Sequence, residues 1–261
     1  MVVMNINNHV LSRKELQLFI VLGGFFITNA LVAEMIGGKL FSVERIFGAS
    51  PVNWSLFGQN GLSFTMTCGV LLWPVVFIMT DVINEYFGMR GVRFLSYLTV
   101  GLILYAFAAI YLAMGTPAAD FYVNSMVERG IPNMNTAFSA VFGQGLWIIA
   151  GSVIAFLVGQ VIDVYVFHRI RRVTGEKKLW LRATGSTLVS QLVDSFVVLF
   201  IAFHVSGKYP LIWVLGVGAI NFVYKAVVAI LLTPSLYVIH HYIDRFLGDE
   251  LSEKLQKQAA S

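Results

Sequence analysis

Two copies of one short pattern carry the polar chemistry of this sequence. Gln160 and Asp163 stand three apart in LVGQVIDVYVF, and Gln191 and Asp194 stand three apart in SQLVDSF. At that spacing the amide and the carboxylate of each pair share one face of a helix. Both pairs lie inside apolar stretches long enough to cross a bilayer, where a carboxylate costs roughly 2.5 to 3.5 kcal/mol on insertion scales. Neither pair would persist facing lipid. A carboxylate offers acceptors and an amide offers both a donor and an acceptor, so the pairs could read the edge of a small polar solute. Further groups extend the pattern: Asp81, Asn84 and Glu85 at i, i+3, i+4, Asn221 and Lys225 at i, i+4, and Glu34 alone in the first apolar stretch. The expectation is a cavity lined by Gln160, Asp163, Gln191, Asp194, Asn221, Lys225, Asp81 and Glu85. Glu34 is a candidate for gating or coupling.

A structural alternative competes with the cavity. Lys225 could pair with Asp194, and Gln160 could bond a neighbouring helix, simply to hold a bundle together. Interhelical hydrogen bonds in membranes average only about 0.6 kcal/mol. The five ionisable groups Glu34, Asp81, Asp163, Asp194 and Lys225 would together cost about 12 to 17 kcal/mol if ionised in lipid. Weak bonding is a poor reason to retain them, and one solvated, substrate-lined cavity accounts for all of them.

The elements that must position these residues follow from composition. Of 261 residues, 57% are hydrophobic and 12% are charged, against about 45–50% and 25% in soluble domains. The chain reads as an all-α integral membrane protein, one domain over residues 1–261. Six transmembrane helices are expected at about 16–36, 62–86, 94–115, 136–167, 183–205 and 211–242. Trp73-Pro74 suggests a kink in the second. Four glycines, Gly143, Gly145, Gly151 and Gly159, make the fourth either tilted or broken. Residues 39–61, with Pro51 and Trp54, suit the membrane interface, and the charged tail from Asp244 reads as an amphipathic helix.

Six spans place the basic residues Arg13, Lys14, Arg90, Arg93, the cluster from Arg169 to Arg182 (Lys177 included), Arg245, Lys254 and Lys257 on one side. The other side holds only Lys39, Arg45, Arg129 and Lys208. The positive-inside rule then puts both termini in the cytoplasm. This also explains the net charge of +4 without a nucleic-acid partner. The single cysteine, Cys68, allows no internal disulfide. No zinc-protease, serine-hydrolase or nucleotide-binding motif is present, so neither catalysis nor a metal or other cofactor is expected.

The segments WPVVFIMTDVINEYFG, GQVIDVYVFHRIRR, LRATGSTLVSQLVDSFVVLFIAF and NFVYKAVVAI closely resemble the queuosine precursor transporter family, formerly grouped as vitamin uptake transporters. The resemblance runs from the second helix onward. It implies a six-helix protein of the bacterial cytoplasmic (inner) membrane that imports 7-cyano-7-deazaguanine and 7-aminomethyl-7-deazaguanine for transfer-RNA modification. It also implies a fold related to the substrate-binding subunits of energy-coupling-factor transporters. The residues suit that ligand. A guanine-like edge presents an acceptor O6 beside donors at N1 and the exocyclic amine, which a carboxylate can take in bidentate fashion and a glutamine amide can read. Lys225 could approach O6 or counter a carboxylate.

Two other functions compete. A substrate-capture subunit would need separate energising subunits, but Ala30-Leu31-Val32-Ala33 is not the Ala-x-x-x-Ala docking motif of such proteins. An intramembrane enzyme would use Asp163 and Asp194 as an acid/base dyad, but neither sits in Gly-x-Gly-Asp. The partners implied are a 7-deazaguanine, the lipid bilayer and, in a homodimer, a second copy.

Overall fold

A computed structural model describes residues 13–143, 146–174 and 178–260; Gly145 and Lys177 lie outside them. In hydrocarbon every backbone N–H and C=O must be satisfied within the segment, so long apolar stretches become helices. Among the described residues five helical stretches are long and apolar enough to cross a membrane, and the chain is a multi-pass, predominantly helical membrane protein. The long helices are α1 (Lys14–Ile36), α2 (Trp73–Gly115), α3 (Leu146–Thr174), α4 (Leu179–Leu199) and α5 (Leu211–Leu247), followed by a shorter α6 (Asp249–Ala260). Large apolar side chains such as Tyr105, Leu112 and Leu231 point away from the protein. An apolar surface of that kind suits lipid rather than water.

The expected second helix does not begin at Leu62. Residues 40–67 instead form two antiparallel ladders, β1 (Leu40–Ser42) with β4 (Thr65–Thr67) and β2 (Trp54–Leu56) with β3 (Gln59–Leu62). A 3-10 turn, Cys68–Leu71, leads into α2. Trp73-Pro74 marks the start of that helix rather than a kink in it, because proline's missing N–H is harmless in the first turn. The Glu44 carboxylate ties the hairpins together. It accepts from Ser42 Oγ at 2.7 Å, Phe64 N–H at 2.8 Å and Val52 N–H at 3.4 Å. Burial pushes this carboxyl up, and the donors outweigh that and hold it below the usual range. Leu62, Met66 and Val70 pack with Ile220 of α5, so the hairpins sit on one end of the bundle.

Other boundaries also shift. The expected fourth helix is divided into a short helix, Met134–Phe142, and α3, with Gly143 non-helical between them. Asn133 caps the short helix by accepting from Thr136 N–H at 2.9 Å. The basic cluster expected as a loop is largely helical, since α3 runs to Thr174 and α4 starts at Leu179. The fifth helix ends in a π-helical turn, Phe200–Val205, and the sixth runs on to Leu247. The tail does form an amphipathic helix, α6. Its Ser252 Oγ donates to Asp244 at 2.5 Å, and Arg171 of α3 donates to its Gln256 carbonyl at 3.1 Å.

Gly88 breaks α2 with φ +64° and ψ −173°, a region open essentially to glycine alone. The turn expected between helices two and three shrinks to this one residue. The chain bends sharply there: a Cβ on Gly91 would lie 2.7 Å from Phe87 Cβ, and Phe19 of α1 touches both Phe87 and Phe94. A Cβ on Gly88 itself would meet the Ala259 backbone of α6 at 3.1 Å. Gly88→Ala should therefore lower thermal stability by about 1 to 3 kcal/mol from backbone strain alone, with crowding against α6 added. Gly101→Ala, a position with open space around it, should change little. Thermal unfolding of the purified variants checks this, and truncation after Gly248 should relieve only the crowding part.

Candidate functional site

Helix α4 carries a stripe of small polar side chains, and the buried carboxylates of neighbouring helices converge on it. Thr187 Oγ1 donates to Asp81 Oδ2 of α2 at 3.3 Å, and Ser190 Oγ donates to Asp163 Oδ1 of α3 at 3.1 Å. Thr187 and Ser190 are one turn apart, so the two carboxylates reach α4 at adjacent levels. Close approach of α3 and α4 makes this possible, since a Cβ on Gly151 would lie 2.9 Å from the Val198 carbonyl oxygen. Gln160 of α3 turns to α2, where its Nε2 donates to Thr80 Oγ1 at 3.0 Å.

A cleft that includes the Thr187–Asp81 contact opens between α4, α2 and α5. Its polar lining is Asp81, Thr184, Thr187, Gln191, Lys225 and Thr233, with Pro74 and Leu236 among its apolar walls. The cleft has a cavity volume of about 20 Å³, room for about one water molecule. It is narrow, because the Thr184 and Thr233 hydroxyls are bonded across it at 2.7 Å. Pro234 follows Thr233 inside α5 and removes a backbone donor there, which loosens the helix beside the cleft. Lys225 Nζ lies 2.5 Å from Asp194 Oδ2, with the side chains 8% and 17% exposed. The pair thus joins α5 to α4 at the edge of the cleft.

Several buried polar atoms have no hydrogen-bond partner among the described residues. Asp81 Oδ1 and Gln191 Oε1 belong to residues lining the cleft, and Asp163 Oδ2 lies behind it. Native proteins rarely leave such atoms unsatisfied unless a solute, ion or water completes them. Two acceptors, an ammonium and three hydroxyls could bind a small planar solute that presents adjacent donors beside an acceptor.

The structure divides the residues singled out from the sequence. Asp81, Gln191 and Lys225 line the cleft, with Asp194 reaching it through Lys225. Gln160 and Asp163 stand behind, against Thr80 and Ser190. Asn221 donates back to the Val217 carbonyl of its own helix at 2.9 Å. Glu85 is bound by Arg182 at 2.6 Å, with Arg171 at 3.7 Å, and Asn84 bonds His168 at 3.0 Å. Glu34 accepts a hydrogen bond from Ser152 at a separate place. Sequence reasoning missed Thr184, Thr187 and Thr233. The spacing of Thr184, Thr187 and Gln191 at i, i+3, i+7 was a signal for the first two, though threonine is common enough in membrane helices to carry little weight. It also counted Arg182 as a loop cation, whereas α4 begins early enough to bury it at 2% exposure.

Residues 67–239 match the family described as "Putative vitamin uptake transporter". A "Probable queuosine precursor transporter" of Bacillus subtilis (strain 168) is 32% identical over 179 residues, 66% of this chain and 71% of that protein. One of Haemophilus influenzae with the same description is 27% identical over 77% of this chain and 80% of its own length. A "Queuosine precursor transporter" of Escherichia coli (strain K12) is 30% identical over 54% of this chain and 57% of that protein. No solved structure matches the chain.

The Lys225–Asp194 contact generates a test. Removing one partner of a buried pair strands a charge and destabilises by about 3 to 5 kcal/mol. Lys225→Met should lower thermal stability by that order, and Lys225→Met with Asp194→Leu should recover most of it. A double variant no more stable than Lys225→Met alone would show that the pair contributes nothing to folding.

Proposed function

Because this chain belongs to the vitamin uptake transporter family, we propose that it carries queuosine precursors, 7-deazaguanines such as 7-cyano-7-deazaguanine, across a bacterial cytoplasmic membrane. It acts as a transporter and not as an enzyme. The observation that carries the substrate reading is the pair of unsatisfied acceptors, Asp81 Oδ1 and Gln191 Oε1, on residues lining one cleft between α2, α4 and α5. In this reading the Asp81 carboxylate takes the donors at N1 and the exocyclic amine, and Gln191 reads the remaining edge. Lys225, already at the cleft wall, approaches O6. Asp194, Gln160 and Asp163 hold these groups in place from behind, while Asn221, Glu85 and Glu34 act away from the base.

The Thr184–Thr233 hydrogen bond crosses the cleft, so a bicyclic base enters only when α4 and α5 part there. Transport is the alternation of that opening between the two sides. Glu85 with Arg182 and Arg171 closes the end toward α6, and the hairpins close the other. In this reading α2 crosses the membrane twice, turning at Gly88, which gives six spans in one domain with both termini cytoplasmic. The sharp bend at Gly88 and the basic residues gathered at Arg90, Arg93 and Arg169–Arg182 support it. The dyad of a competing aspartate enzyme has no support, because Asp194 is engaged by Lys225 and Asp163 by Ser190.

Three experiments test the proposal. Cells unable to make the precursors should accumulate labelled 7-cyano-7-deazaguanine only when they express this protein. Asp81→Asn and Gln191→Leu should each weaken binding by about ten- to a hundredfold, the loss of a charge-assisted or buried hydrogen bond. Equal binding by wild type and both variants would remove these residues from recognition. For topology, with Cys68 replaced, single cysteines at Gln59 and Ser125 should react with an impermeant thiol reagent in intact cells, and one at Glu176 should not. Reaction at Glu176 would overturn the six-span arrangement.

A further inference from the structure

The buried carboxylates outnumber the cations that could match them. Within the membrane helices the buried Glu34, Asp81, Glu85 and Asp163 and the half-buried Asp194 face the buried Lys225, Arg171 and Arg182 among the described residues. Asp194 takes Lys225, and Glu85 takes Arg182 with Arg171 beside it. Glu34 has the Ser152 hydroxyl. Asp81 and Asp163, 2% and 0% exposed, have no ion-pair partner among the described residues and are held by neutral hydroxyls, Thr187 for Asp81 and Ser190 with Ser186 for Asp163. Each keeps one carboxylate oxygen, Asp81 Oδ1 and Asp163 Oδ2, without a partner among the described residues. They meet α4 one turn apart, so ionising both inside the closed bundle would set two like charges together out of water.

We infer that Asp81 and Asp163 bind one proton between them whenever the cleft is closed, so that the loaded transporter carries a proton together with its substrate. This rests on the reading of the protein as a 7-deazaguanine carrier. Only Asp81 lines the cleft. When its carboxylate turns to the substrate's donors, the proton resides on Asp163, which stands behind. Opening to water lets both carboxylates ionise and releases the proton to that side. A proton fits better than a sodium ion, because Thr187 and Ser190 both point donors at the carboxylates instead of offering lone pairs to a cation. The other charged or titratable groups facing the pair are Glu85 on α2, His168 and Arg171 on α3, Arg182 and Asp194 on α4, and Lys225 on α5. All but His168 are engaged in ion pairs, and His168 is bonded to Asn84.

Proteoliposomes containing the full chain provide the test, with 7-cyano-7-deazaguanine as a probe that carries no ionisable group near neutral pH. Adding it should draw protons from the medium, and its apparent affinity should fall about tenfold per pH unit on the alkaline side. Asp163→Asn, which mimics the protonated acid but loosens the support behind Asp81, should exchange labelled substrate across the membrane at a reduced rate that no longer varies with pH. It should neither take up protons nor show the pH dependence, and an inside-alkaline gradient should no longer drive accumulation. In a Glu34→Gln background the infrared carbonyl band of a protonated carboxylic acid should be present in the parent and absent from Asp163→Asn. Exchange without proton uptake, with pH-independent affinity or a requirement for sodium, would overturn the inference. No exchange by the wild type would instead sink the carrier reading itself. If Asp163→Asn does not fold, the wild-type proton uptake and pH dependence decide.

Discussion

Charge buried in a low-dielectric interior has to be matched, and this constraint shapes the bundle. The Lys225–Asp194 contact ties α5 to α4, and the Glu85–Arg182 contact ties α2 to α4 near the opposite end of the polar zone. Neither pair would repay its desolvation as simple glue against a well-packed apolar core. Both make geometric sense as fixed points that hold a cleft between them. The helices α2, α4 and α5 are pinned above and below it, and the polar groups left without partners sit in the interval.

Helix α4 is the common wall. Gly151 of α3 lets the two helices approach closely, and the α4 hydroxyls meet carboxylates from α2 and α3, one of which, Asp81, also lines the cleft. A hydroxyl suits this place because it donates and accepts and adds no charge. Larger polar side chains at Thr187 or Ser190 would push the carboxylates apart, and apolar ones would leave them wholly unsatisfied. Gln191, on the same helix, brings an amide, both donor and acceptor, to the cleft wall.

The closed state also indicates what must move. One hydrogen bond between threonines crosses the cleft, next to the proline that interrupts α5. A neutral hydrogen bond of this kind contributes only about 0.5 to 1.5 kcal/mol net, a small barrier compared with either ion pair. Opening at the threonines while the ion pairs hold is therefore the economical motion. At the far end, α6 is stitched to Asp244 and Arg171 and leans on Gly88, so bending of α2 and seating of α6 are mechanically linked.

The sequence by itself determined the membrane class, the presence of polar groups inside the helices and the family, because long apolar stretches and costly interior charges leave few alternatives. It also placed Asn221 on the Lys225 face and Asp194 within reach of Lys225, since helical periodicity and antiparallel neighbours suffice for that. Tertiary structure alone decided which residues share the cleft. Whether Asp163 lines it or stands behind it depends on how α3 rotates against α4, and helical spacing does not report rotation between helices. The burial of Arg182 was hidden for a similar reason: four residues of earlier helix turned an apparent loop cation into the partner of Glu85. The hairpins at 40–67 escaped notice because short strands with mixed polar and aromatic residues have no sustained period. Gly88 was visible as a glycine, but only the fold shows it carrying the whole turn of α2, since a positive φ is set by where the flanking helices must go.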